Sequence, residues 1–129
     1  MVFSVNSYGQ NKSKGFCQED LLGKSYISDG QDHQVLLRNG KAAKFVVVFY
    51  PQFRYKIVIC SNNKQLPIEL KLSDSNGKEY FTNVNKNYAR EWEFQHSSIM
   101  NATIELKLTD IKKEENIRLL IGYQLNQNP

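Results

Sequence analysis

The chain has 129 residues, 40% of them apolar and 12% aromatic, with a formal net charge of +4. That is enough chain for one domain with a real core, and too rich in hydrophobic and aromatic side chains for global disorder. The charge is spread as single lysines, often beside a glutamate, and no basic helix, zinc spacing or RNA-recognition signature accompanies it, so nucleic acid is not an expected partner.

Residues 1–10, with a short apolar run at Val2 to Val5 followed by small and polar residues, read as the tail of a secretory signal. The alternative is an N-terminal edge strand built on Phe3 and Val5. Residues 11–32 are polar and punctuated by glycine, which predicts a mostly irregular arm with one helical turn at Gln18 to Leu22. From residue 33 to residue 129 the pattern changes to short segments of alternating polarity, spaced by turn residues, and predicts an all-β domain. The expected strands are His33 to Arg38, Ala43 to Tyr50, Arg54 to Cys60, Pro67 to Ser73, Glu79 to Thr82, Arg90 to Gln95, Ala102 to Thr109 and Ile117 to Leu125. About eight strands at that cadence make a single antiparallel β-sandwich, jelly-roll-like.

Ile68-Glu69-Leu70-Lys71-Leu72 alternates without a break, and Ile104-Glu105-Leu106-Lys107-Leu108 repeats it. Each is a half-buried strand with Ile, Leu and Leu inward. The flanks do not match, so common strand chemistry explains the likeness better than duplication. Lys44 to Tyr50 is apolar on both faces, which predicts a central strand or one whose second face lies under the arm. Asp74-Ser75-Asn76-Gly77 predicts a tight hairpin, and Trp92 alternates in phase with Phe94 toward the core. Lys112 to Asn116 reads as a charged loop.

The two cysteines, Cys17 and Cys60, fit an exported protein with one disulfide. Tyr55, Ile57 and Ile59 share one face of their strand, so Cys60 points to the other face with Val58, where an arm carrying Cys17 could be stapled. Two unrelated thiols, one exposed and one buried, are the alternative. The longest apolar stretch, Phe45 to Tyr50, is far too short to span a bilayer as a helix.

No set of residues has the types and spacing that a reaction needs. His33 and His96 belong to no HxH, HxxxH or Cys-His cluster, and no GxSxG motif occurs. Asp74 to Glu79 has the first marks of a calcium loop but lacks the later bidentate glutamate, and Glu91 and Glu93 lie two apart on one strand face as surface charge. No catalytic residue, cofactor or metal is therefore expected. The residues left as possible ligand contacts are Asp29 and Asp32, in a carboxylate-bearing loop, and Tyr88, an exposed ring in the loop from Asn85.

Asp29-Gly30-Gln31 before the first strand, Phe53 to Ser61, the pair Asp74 and Gly77, Trp92-Glu93-Phe94 and Leu120-Ile121-Gly122-Tyr123 together resemble a group of small exported proteins of Gram-negative bacteria with no assigned activity. These in turn are similar to the sandwich domains appended to secreted peptidases, the bacterial pre-peptidase C-terminal domains. Related sequences carry a cysteine beside the terminal glycine, where this chain has Ile121 and Tyr123. The resemblance implies a sandwich fold and binding of matrix polymers or calcium, although the acidic clusters for calcium are thin. The expected protein is exported to the periplasm or cell surface and works by binding, as a protein-interaction accessory of an envelope or secretion assembly. A carbohydrate-binding module is the alternative.

Overall fold

The two Ile-Glu-Leu-Lys-Leu segments lie side by side at the centre of one sheet. In the computed structural model, which describes residues 17, 19–38, 40–110 and 112–125, the strands are β1 (Ile27–Ser28), β2 (His33–Arg38), β3 (Ala43–Phe49), β4 (Phe53–Ser61), β5 (Ile68–Asp74), β6 (Glu79–Thr82), β7 (Glu91–Phe94), β8 (Met100–Leu108) and β9 (Glu114–Leu125). Strands β5 and β8 pair antiparallel, which sets Leu70 against Leu106 and Leu72 against Ile104 on the inner face. Because both strands read Glu then Lys along their own direction and run antiparallel, the same register sets Glu69 against Lys107 and Lys71 against Glu105 on the outer face. Opposite charges directly across a sheet favour that register over a slipped one.

The four-stranded sheet runs β3-β8-β5-β6, and the second sheet runs β2-β9-β4-β7 with β1 also on β9. Set out this way, β2 to β9 pass back and forth between two antiparallel sheets, except at the β5–β6 hairpin, which stays within one sheet, in the order of an eight-stranded jelly roll. The inner faces meet in one core that includes Phe49, Ile57, Ile59, Ile68, Leu70, Leu72, Ile104, Leu106 and Leu119, each at most 2% exposed. A row of rings crosses that core: Phe81 stacks on Trp92 at 3.9 Å, Trp92 on Phe94 at 4.4 Å, and Phe94 on Tyr55 at 5.8 Å. Trp92 faces inward as its alternation with Phe94 predicts, and is half-buried at the sheet edge.

Two expectations are corrected. Strand β3 is an edge strand, pairing with β8 alone among the described residues, and Val46 on its outer face is 78% exposed. Among the described residues its second apolar face is covered neither by a sheet nor by the arm. The charged stretch Lys112 to Asn116 is not wholly a loop: β9 begins at Glu114 because Glu114 and Glu115 pair with Arg38 and Leu37 of β2.

The arm covers the other sheet. Glu19–Leu22 forms a 3₁₀ turn and β1 joins β9, so residues within 11–32 add one two-residue strand to the expected eight. The segment proposed as a signal remnant, residues 1–10, lies outside the described residues. Cys17 and Cys60 form a disulfide with a sequence separation of 43, and Leu22 and Tyr26 pack over Val58 and Leu120 on the outer face of β4 and β9. Gly122 makes the notch for this contact. A Cβ there would stand 3.0 Å from Leu22 Cδ1 and 3.1 Å from Tyr26 Cβ, closer than side chains pack.

Polar groups fasten the arm at both ends. The Arg118 guanidinium donates to the Cys17 carbonyl and lies 3.3 Å from Asp32, while Lys56 donates to the Leu22 carbonyl at 3.2 Å. The Tyr26 hydroxyl donates to Glu93 at 2.7 Å, and that hydrogen bond, with help from Arg54 and Lys56, holds the Glu93 carboxyl below the ordinary glutamate value. A carboxylate so lowered stabilises the folded chain above the ordinary value, and that contribution is lost as the pH falls through the lowered one. Glu93 is 44% exposed, so the effect on stability is small. The site-specific consequence is measurable: replacing Tyr26 with phenylalanine is expected to move the Glu93 midpoint upward in a carbon-detected NMR titration, and an unmoved midpoint would remove the hydrogen bond as its cause.

Candidate functional site

The free edge of β3 faces an irregularity in the opposite sheet. Strands β1 and β2 both pair antiparallel with β9, Ser28 with Gly122 and His33 with Leu119, so residues 29–32 stand against only Leu120 and Ile121. Four residues opposite two make a bulge in an edge strand, the kind of feature that redirects side chains at sites of use. Gly30, with φ of 81°, takes the left-handed turn that the bulge requires, and the Asp29 amide still bonds the Ile121 carbonyl at 2.9 Å. The bulge splits the two carboxylates. Asp29 turns toward β3, and Asp32 turns outward to Arg118 and to Gln34, whose side-chain amide bonds it at 2.9 Å.

Between β3 and this bulge lies a cleft of about 530 Å³, within the range of ligand sites. The β3 edge at Val46, Val47 and Val48 lines one side, Asp29 and Gln31 of the bulge line the other, and Phe53, Tyr123, Tyr50 and Tyr55 complete the lining. The rings are set by contacts within the sandwich. Phe53 and Tyr123 meet edge to face at 5.1 Å, and the Tyr50 amide donates to the Tyr55 hydroxyl at 2.9 Å. Burial outweighs that bond and pushes the Tyr55 hydroxyl above the ordinary tyrosine value, so it stays neutral in the cleft at neutral pH. Tyr50 is 43% exposed and is the ring most open to a ligand.

Asp29 is the one charged side chain that lines the cleft among the described residues. One of its carboxylate oxygens accepts from the Gln31 amide at 3.0 Å, and the other lies 3.4 Å from His33 Nε2. The His33 ring is buried and rests edge-on against Phe45 at 5.4 Å, which leaves Asp29 supported from below and open to the cleft. The arrangement can hold an apolar or ring-bearing ligand with a cationic or hydroxyl group at one end.

Of the residues that sequence reading marked as ligand contacts, only Asp29 lines the cleft. Tyr88 lies between β6 and β7, at the sheet edges remote from β3; it is half-buried, with a backbone φ of 53°. Asp74 is used by its own hairpin, its carboxylate accepting from the amides of Asn76 and Lys78 at 2.9 Å each. The residues that sequence reading missed are Val46, Val48, Tyr50, Phe53 and Tyr123. The available signal was the strand apolar on both faces, which permits an uncovered edge as well as a doubly covered centre. No protein-family model matches this sequence, and no curated protein matches it.

Proposed function

We propose that this chain is an exported, non-catalytic binding module that uses the cleft beside β3 to hold a protein partner of the cell envelope. The observation that carries the reading is the long apolar strand left open at a sheet edge, with Val46 78% exposed and Tyr50 43% exposed beside it. Exposed apolar residues grouped along one strand mark an interaction surface more often than scattered ones do. Export is supported by the disulfide, since such bonds persist in oxidising compartments. Likeness to the sandwich domains of secreted peptidases, which rests on strand patterns, points the same way.

A carbohydrate ligand is the second reading, favoured by the open Tyr50 ring beside the polar Asp29 and Gln31. The half-buried Tyr88 gives it little support. Purification of tagged full-length chain from its source cells discriminates the two. The protein reading expects a stoichiometric protein partner that is lost on Tyr50→Ala and retained on Tyr88→Ala. Saturable binding to cell-wall polysaccharide, lost on Tyr50→Ala with no protein retained, would replace the first reading with the second.

A further inference from the structure

Among the described residues the two sheets present four edges, and three are protected against pairing. The β1–β2 edge is broken by the 29–32 bulge. Strand β7 has four residues and carries Glu91 and Glu93 on its outer face. Strand β6 also has four, with a register shift against β5 between Leu72 and Ser73. Strand β3 has seven residues in unbroken register with β8, no proline and no bulge, and one charge, Lys44, near its start. Short length, charge and bulges are the devices that keep edges from pairing, and β3 alone has none in its middle.

From this contrast we propose that an extended segment of the partner adds to β3 as a new edge strand, seated between β3 and the 29–32 bulge, with a lysine or arginine of that segment against Asp29. The proposal rests on the reading of the cleft as a protein-binding surface and says how the protein is held. The backbone groups on the free side of β3 supply the hydrogen bonds, and Val46 and Val48 on one face with Val47 on the other supply apolar neighbours for both faces of the guest. A folded second copy pairing edge to edge is the competing occupant, and the oligomeric state distinguishes it. The charge preference is set by Asp29, the only acidic or basic side chain that lines the cleft among the described residues, which favours a cation at the nearer end of the guest.

The probes are fluorescein-labelled peptides of alternating valine and threonine, eight residues long, with lysine or glutamate at either end, titrated against the full chain. Strand addition uses the amides of alternate guest residues on one edge only. N-methylation of one alternate set is therefore expected to weaken binding by about tenfold or more, and methylation of the other set by less than about twofold, the loss matching about one hydrogen bond or more. Asp29→Asn is expected to abolish the preference for lysine over glutamate. Binding that ignores which set is methylated, yet falls on Tyr50→Ala and Asp29→Asn, overturns strand addition and leaves the cleft as a binding surface. Peptide binding that is absent, or indifferent to both substitutions, overturns both readings. Light scattering that finds a dimer of the wild type and a monomer of Val46→Lys, at an exposed position where folding is unaffected, makes a second copy the occupant and also overturns the proposal.

Discussion

Replacing Asn83 with alanine is expected to lower stability by about 3–5 kcal/mol, because two buried backbone groups and one part-buried one lose their partners at once. Asn83 is completely buried just beyond the end of β6, where that short strand stops covering β5. Its own amide donates to the Leu70 carbonyl at 3.2 Å, and its side chain continues the ladder as a peptide unit would. The side-chain oxygen accepts from the Leu70 amide at 2.8 Å, and the side-chain nitrogen donates to the carbonyls of Ile68 and Ala89 at 2.9 Å each. Alanine leaves one donor and two acceptors without those bonds. Aspartate keeps the acceptor but removes the donor and buries a charge, so Asn83→Asp is expected to be at least as harmful. Urea denaturation checks both, with Asn85→Ala, an exposed position in the same loop, as a control expected to stay within about 0.5 kcal/mol. A loss below about 1 kcal/mol for Asn83→Ala would show that the loop re-forms its bonds without the side chain.

Removing the disulfide by Cys17→Ser with Cys60→Ser is expected to cost about 4 kcal/mol on the chain-entropy account, given the 43-residue separation. The local consequence is more specific. The bond holds the arm at one end and Gly122 admits it at the other, so loss of the bond frees Leu22 from Val58 and Leu120 and bares apolar surface on the outer face of β4 and β9. Increased binding of an environment-sensitive dye at temperatures below the unfolding transition is the expected sign. Arg118, which donates to the Cys17 carbonyl and lies against Asp32, links the same arm to the 29–32 bulge. An unchanged denaturation midpoint with no added dye binding would show that these polar contacts hold the arm without the covalent bond.

Strand identity was legible because alternation is a local signal. Ile68 to Leu72 and Ile104 to Leu108 show it, as do Tyr55, Ile57 and Ile59 on one face and Val58 and Cys60 on the other. The same geometry put Cys60 on that second face, and the structure decided between a disulfide and two unrelated thiols by joining it to Cys17. The cleft was not legible. Asp29 and Tyr123 are nearly a hundred positions apart, and it is the pairing of β1 and β2 with β9 that brings their segments together. Strand β3 was misplaced for a related reason: apolarity on both faces says that a strand is suited to being covered, not what covers it.

From composition and alternation alone came an all-β sandwich of about eight strands, its inward residues and the face to which Cys60 points, because side-chain direction along a regular strand has a period of two set by the backbone itself. Tertiary structure alone decided that β3 lies at an edge, that residues 29–32 form a bulge, and that Asn83 completes a ladder. Each of these depends on which strands lie side by side, and that is settled by contacts between residues far apart in the chain.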